Sequence, residues 1–236
     1  LRGVYHQIAS DGIDQVLSME VVLPNGEIIY TGSGAFPNIG PYFRYFGPDL
    51  TGLFQGQPGT MGVVTKMTVK LHKLPEVSEI LLNTFNDLDK AAKFTHAIAE
   101  EEIATVHWIL HWTALAILQG MIKSEEDVLK VAEFAPHWVT VTIFEGKKHR
   151  VEYCKNVAEG IIKQYPPEKE IPNVKVGTIQ PITPETGLNE FKYPRNIAHW
   201  FSLGNYWALA FWGPLNKVPT YYNEGLKIWK KHGLEP

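Results

Sequence analysis

The first third of the chain alternates between apolar and polar residues in a way that is typical of β-strands. Residues 16–23 and 27–31 are rich in Val, Ile and Leu, and Pro24-Asn25-Gly26 lies between them. Asn-Gly suits the positive φ angles of a tight turn, so these segments predict a β-hairpin. The segment 63–71 predicts a third strand, with one face formed by Val63, Thr65, Met67, Val69 and Leu71.

The pattern changes after the Leu-Pro-Glu sequence at 74–76, which predicts a boundary between domains at 1–75 and 76–236. Beyond it, segments with the period of a strand alternate with segments of helical period. We predict strands at 78–85, 137–145 and 206–212, and helices from 86 or 87 to 101, 124 to 136, 151 to 165 and from about 220. The segment 103–120 fits either a strand or a buried helix. This succession predicts an α+β fold, with helices on one side of an antiparallel sheet.

Between the hairpin and the third strand lies a glycine-rich segment, residues 46–65. Glycines at 52, 56, 59 and 62 argue against a helix, because each would cost about 1 kcal/mol there relative to alanine. They indicate sharp turns and a close approach of the backbone to another part of the protein or to a ligand. The segment matches neither GxGxxG nor the GxxxxGK[ST] phosphate-binding loop.

Composition excludes several classes of function. The chain has 236 residues, 44% of them hydrophobic, a formal charge of −3 and one cysteine. It has no basic run for nucleic acid, no apolar segment long enough to span a bilayer, and no cysteine-based metal site. We therefore expect a cytoplasmic protein. Because the sequence begins without Met, we expect it to be a piece of a larger polypeptide or one segment of a split one.

Three blocks resemble the later part of the PCMH-type FAD-binding domain. That domain occurs in the p-cresol methylhydroxylase and vanillyl-alcohol oxidase superfamily, which also contains glycolate oxidase and D-lactate dehydrogenase. The blocks are MEVVLPNGE at 19–27, TGSGA at 31–35, and GPDLTGLF to GTMGVVTK across 47–66. The resemblance implies that residues 1–75 end an FAD-binding domain. The rest resembles the cap (substrate) domain of the family in its strand-helix rhythm and in FWGP at 211–214, and residues 76–236 would form this domain, incomplete at its end.

The resemblance also implies a cofactor, FAD, held largely by backbone groups, and hydride transfer to it from a small alcohol or phenolic substrate. Two alternatives are a 2-hydroxy-acid dehydrogenase of the glycolate or D-lactate type and a non-catalytic subunit that retains the fold. The family's earlier half is absent, and Pro58 stands where hydroxy-acid members have an acidic residue. We therefore expect a partner chain or a missing N-terminal half, an oligomer, and an electron-acceptor subunit. The cofactor contacts carried over by motif are Gly3, Gly59, Thr60, Met61, Gly62, Val63 and Val64.

Histidines and aromatic residues concentrate in the second part of the chain and predict either a substrate pocket or a hydrophobic core. His107 and His111 are four residues apart, so they share one face whether the segment is a helix or a strand. No carboxylate accompanies them in the HExxH pattern, so we expect no metal site. The pocket candidates are His107, His111, Trp207 and Trp212. The sequence identifies no catalytic residue.

Overall fold

The computed structural model describes residues 14–45, 47–57, 59–118, 122, 124–132, 135–171, 174–183 and 214–233. The chain divides into two compact units, Leu1–Leu74 and Pro75–Pro236. Among the described residues, no helix combines the length and the apolar character that crossing a membrane requires.

Between residues 14 and 74, the described part of the first unit, three strands form an antiparallel sheet. They are β1 (Val16–Val22), β2 (Ile28–Tyr30) and β3 (Val63–Val69), in the order β2-β1-β3. The turn between β1 and β2 closes with a hydrogen bond from the Leu23 N–H to the Glu27 carbonyl, and Gly26 has a φ of +85°. The predicted hairpin is therefore confirmed, and so is the third strand.

The prediction that the odd-numbered residues of β3 share one face is wrong. Val63 is 65% exposed, whereas Val64 packs against the cluster of Val16, Met19, Val21 and Phe54. The cause is a β-bulge, because Glu20 pairs with Lys66 while the next residue, Val21, pairs with Val64. Thr65 is the extra residue, and the strand reverses its faces across it.

In the described residues of the second unit, four strands form an antiparallel sheet that is flanked by helices. The strands are β4 (Val77–Phe85), β5 (Val106–His111), β6 (Trp138–Gly146) and β7 (Ile179–Pro181), in the order β5-β6-β4-β7. The α-helices that the structure describes are α1 (Leu50–Leu53) in the first unit, then α2 (Leu88–Glu100), α3 (Trp112–Leu118), α4 (Glu125–Ala132), α5 (Lys148–Gln164) and α6 (Val218–Lys231). The ambiguous segment 103–120 contains both a strand and a helix. The predicted strand at 206–212 lies outside the described residues.

Both faces of this sheet are covered. On one face, Leu81, Phe85 and Phe144 pack against α2 and α5, which contribute Phe94, Ile98, Val151, Cys154, Ala158 and Ile161. On the other, Ile80, Leu82, Val139 and Val141 pack against Leu115 of α3 and Val176. The predicted α+β class is confirmed, but the helices are not confined to one side of the sheet. The helix α3 begins at Trp112, directly after β5 ends at His111, and its Leu115 packs on the second face.

Candidate functional site

A buried threonine connects the short helix α1 to the sheet of the first unit. Thr31 is fully buried, and its Oγ1 accepts hydrogen bonds from the Met19 N–H at 3.0 Å and the Thr51 hydroxyl at 2.8 Å. The Ser18 hydroxyl donates to the Thr31 carbonyl at 2.7 Å. These bonds fix the beginning of the glycine-rich segment on β1.

An ion pair sets the entry into that segment. Arg44 is only 7% exposed, and its Nη2 donates to Oδ2 of Asp49 at 2.9 Å, with Nε 3.2 Å from Oδ1. Asp49 also caps α1, because its Oδ1 accepts from the Gly52 N–H at 3.2 Å. The Arg44 guanidinium holds the pKa of Asp49 below its ordinary value. Gly52 therefore lies in a helical turn, contrary to the expectation that the glycines avoid helix.

The glycines of the following loop serve two different purposes. A Cβ built on Gly62 would lie 2.8 Å from both Val21 Cγ1 and the Val22 carbonyl oxygen, so this glycine allows β3 to approach β1. A Cβ on Gly56 or Gly59 would have no atom within 4 Å, although φ is +69° and +87° at these positions. Gly56 and Gly59 therefore leave bare main chain facing open space.

A glutamine side chain spans this loop. Gln57 Oε1 accepts from the Met61 N–H at 3.1 Å, and its Nε2 donates to the Gly62 carbonyl at 3.1 Å. We call residues 55–57 and 59–62 the glycine loop. The Met61 N–H is thus engaged within the loop, while Gly59, Thr60 and Met61 are exposed.

Four of the seven predicted cofactor contacts are exposed to solvent. Gly59, Thr60 and Met61 are consecutive and exposed, and Val63 follows at the start of β3. Gly62 is buried against β1, and the Val64 side chain packs into the core of the first unit. These two residues therefore face the first unit itself and not the solvent. Gly3 lies outside the described residues. The exposed main chain at Gly59 and Thr60 fits the close approach of a flat or anionic cofactor.

The first unit also has a concave surface, about 1080 Å³ in volume, beside its sheet. Glu20 lies on it, within 2.8 Å of both Lys66 Nζ and the Thr65 hydroxyl, and these contacts lower the pKa of Glu20. Because Lys66 compensates the carboxylate, the pair adds no net charge. Tyr30, Phe36, Ile39 and Tyr42 complete much of the lining. The sequence pattern did not indicate this surface.

In the second unit, His107 lies in the layer between β5 and α2. Its Nδ1 is 2.7 Å from the Thr142 hydroxyl, and its ring centroid is 6.0 Å from that of Phe94. Nε2 is enclosed and has no hydrogen-bond partner among the described residues. Burial lowers the pKa of His107 to about 3, so the ring is neutral at physiological pH.

His111 lies on the same face of β5, as a strand requires. Its Nδ1 is 2.9 Å from the Thr113 hydroxyl, and its ring packs edge-on against Trp138 at 5.3 Å. Burial, and secondarily the neighbouring His137, lower its pKa. Trp207 and Trp212 lie outside the described residues, so the four-residue substrate pocket stays a prediction. Among the described residues, no group of three His, Cys, Asp or Glu side chains is placed to hold a metal ion.

Comparison with known proteins gives a consistent set of relatives, although no protein-family model matches the chain. The chain is 34% identical over 142 residues to glycolate oxidase subunit GlcD of Bacillus subtilis, which covers 58% of this chain and 28% of that protein. It is 39% identical over 79 residues to a mitochondrial D-lactate dehydrogenase (cytochrome) of Arabidopsis thaliana, covering 34% of the chain and 13% of the relative. An uncharacterised FAD-linked oxidoreductase of Mycobacterium tuberculosis is 40% identical over 90 residues, covering 38% and 18%.

The fold has a counterpart among solved structures. The crystal structure of p-cresol methylhydroxylase with bound substrate superposes with a TM-score of 0.58 at 17% identity, covering 93% of this chain and 42% of that one. The chain thus spans less than half of the length of each of these proteins. It is similar to part of glycolate oxidase subunit GlcD, of the D-lactate dehydrogenase and of the FAD-linked oxidoreductase, and it has the fold of part of p-cresol methylhydroxylase.

Proposed function

We propose that this chain is part of a flavin-dependent oxidoreductase that binds FAD along the exposed main chain of Gly59, Thr60 and Met61. The observation that supports this most directly is the pair of opposite glycine environments in the glycine loop. Gly62 fixes the loop against β1, whereas Gly59 has a φ of +87° and no neighbour within 4 Å of a Cβ position. A backbone that is held firmly and left bare suits a ligand that lies directly on it.

FAD, when bound, supplies the hydride acceptor. The residues of this chain would orient it: the main chain of Gly59 and Thr60 offers close contact, the Thr60 hydroxyl adds a donor, and Val63 adds an apolar surface. Val63 is 65% exposed at the start of β3, where a ring system would shield it from water. Gly62 and Val64 contribute by packing, since both face the first unit itself. Residues 1–75 would then be the end of the FAD-binding domain, and residues 76–236 the cap domain.

For the substrate, we propose a small alcohol or phenol that donates a hydride. Of the two described candidates, His111 is only partly buried and could form a hydrogen bond with a substrate, whereas His107 would line the pocket without a direct hydrogen bond, because its Nε2 is enclosed. A second candidate substrate class is a 2-hydroxy acid, which the names of the glycolate oxidase and D-lactate dehydrogenase relatives favour. A non-catalytic subunit is the alternative from another class.

The matched relatives are far longer than the aligned segments, so the activity belongs to a larger assembly in this proposal. A partner chain or additional polypeptide would complete the FAD site, and a further subunit would accept electrons. We also propose a cytoplasmic location, from the composition, and an oligomeric state, from the family resemblance. These proposals are independent of the loop geometry.

The absorption spectrum of the intact purified protein tests the proposed function. We expect flavin bands in the blue and the near ultraviolet, because the glycine loop would retain FAD. Anaerobic addition of phenols, simple alcohols, glycolate or D-lactate should bleach the blue band only with the correct substrate class. A protein that shows no flavin bands after reconstitution with FAD would support the non-catalytic alternative.

A matched pair of glycine substitutions tests the loop itself. Gly59 and Gly26 have nearly the same φ, +87° and +85°, and neither has an atom within 4 Å of a Cβ position. Gly59→Ala and Gly26→Ala therefore carry the same backbone cost, about 1 to 2 kcal/mol each. We expect Gly59→Ala to weaken FAD binding about tenfold relative to Gly26→Ala, ~1.4 kcal/mol, measured by quenching of flavin fluorescence. Equal affinities for the two variants would contradict the assignment of the loop.

A further inference from the structure

We infer that Gln57 is a positioning residue for the cofactor loop, an inference that rests on the proposed function. Its side-chain amide bridges the Met61 N–H and the Gly62 carbonyl, and thereby keeps the main chain of Gly59 and Thr60 open toward FAD. Both bonds are 3.1 Å long and use both functions of the amide: Oε1 accepts from the Met61 N–H, and Nε2 donates to the Gly62 carbonyl.

We call these two hydrogen bonds the Gln57 clamp. The clamp ends at Gly62, and this residue is fixed by packing. Gly62 is buried and lies so close to β1 that a Cβ would meet Val21 Cγ1 and the Val22 carbonyl oxygen at 2.8 Å. Val63, the next residue, pairs with Val22. Gln57 therefore bonds the first part of the glycine loop to a peptide that cannot move without disturbing β1.

The clamp also decides which groups the loop presents. It turns the Met61 N–H toward Gln57, so this donor is occupied before any ligand arrives, while Gly59 and Thr60 are exposed. Ordering a free backbone costs about 1 to 2 kcal/mol for each residue. A loop that is already ordered avoids that cost when FAD binds, which strengthens the complex without any contact from Gln57 itself.

The chemistry of the clamp is specific to an amide. Glutamate lacks the donor that the Gly62 carbonyl needs, and methionine, which has a similar length, has no donor and only a weakly accepting sulfur. Gln57→Met therefore removes both bonds while it keeps the volume of the side chain. A matched control exists in the second unit, where Nε2 of the half-buried Gln180 donates to the Lys175 carbonyl at 3.0 Å. Gln180→Met removes a side chain-to-backbone bond away from the loop.

Amide hydrogen exchange in the flavin-free protein tests the clamp directly. Loss of one hydrogen bond corresponds to about fivefold faster exchange. We expect the Met61 amide to exchange about fivefold faster in Gln57→Met, and to be unchanged in Gln180→Met. An unchanged Met61 amide in Gln57→Met would overturn the inference, whether or not the protein binds FAD.

Titration of the intact protein with FAD tests the consequence for binding. We expect Gln57→Met to raise the Kd for FAD about tenfold, to alter the visible circular dichroism of the bound flavin, and to leave the unfolding of the second unit unchanged. A Kd and a dichroism spectrum equal to wild type would overturn the inference while the proposed function stands. If wild type itself binds no FAD, the proposed function fails, and the positioning role fails with it even where the amide exchange confirms the clamp.

Discussion

Gly62→Ala is expected to lower the free energy of unfolding of the first unit by at least about 3 kcal/mol. The new methyl group would lie 2.8 Å from Val22 O and Val21 Cγ1, and φ is +153°, where L-residues with a side chain are strained. The carbonyl oxygen belongs to the backbone of β1 and cannot turn away as a long side chain would. β3 must therefore move off β1, and both the pairing at Val22–Val63 and the base of the glycine loop are lost.

The matched control is Gly56→Ala in the same loop. Gly56 has a φ of +69° but no atom within 4 Å of a Cβ position, so only the backbone cost of about 1 to 2 kcal/mol applies. All seven tryptophans lie between residues 108 and 229, so tryptophan fluorescence follows the second unit alone. The first unit should therefore be followed by hydrogen exchange of peptides from β1 and β3 in increasing urea. If Gly62→Ala and Gly56→Ala destabilise these peptides equally, the close approach of β3 to β1 at Gly62 is wrong.

Acid should destabilise the second unit through His107. Burial lowers the pKa of the folded state to about 3 from 6.5. Above pH 6.5 the ring is neutral in both states and contributes no pH dependence. As the pH falls below 6.5, His107 binds a proton in the unfolded chain but not in the folded protein. The free energy of unfolding therefore falls by roughly 1.4 kcal/mol per pH unit. Between about pH 6.5 and pH 4.5 the expected loss is about 2 to 3 kcal/mol.

His107→Gln should remove this part of the acid sensitivity, because the amide does not titrate. Urea unfolding followed by tryptophan fluorescence at neutral pH and at about pH 4.5 gives the change for each protein. The difference between wild type and variant isolates His107 from His111, whose pKa burial also lowers. His96→Gln on the exposed side of α2 is the control, since His96 is 54% exposed, and it should retain the acid loss of wild type. An acid loss in His107→Gln as large as in wild type would contradict a buried, neutral His107.

Local patterns predicted most of the secondary structure. The hairpin of β1 and β2 follows from Asn25-Gly26 between two apolar segments, and α5 follows from the stripe of Val151, Cys154, Ala158 and Ile161. These features depend on residues within one or two turns of each other, which is the distance over which periodicity carries information. The three-residue strand β7 was missed because its pairing with β4 is a contact across about a hundred residues of sequence.

The parts of the candidate site were predictable to different degrees. The glycine content and the family resemblance located residues 59–64, but not which of them face solvent. No local signal indicated that Gln57 reaches Met61 and Gly62, or that Arg44 is buried on Asp49. Arg44 and Asp49 are five residues apart, and so are Gln57 and Gly62. Such a spacing occurs in most irregular segments, so it predicts no contact.

The α+β class, the change of pattern at residues 74–76 and the need for glycine in one loop all follow from the residue pattern alone. The folded arrangement was needed to show that Gly62 packs against β1 whereas Gly59 faces outward, because the two glycines differ in their neighbours and not in their chemistry. It also decided that Val64 rather than Val63 is in the core, through a bulge at Thr65 that reverses the faces of β3. A side chain's surroundings come from strands distant in sequence, and periodicity within one segment contains no information about them.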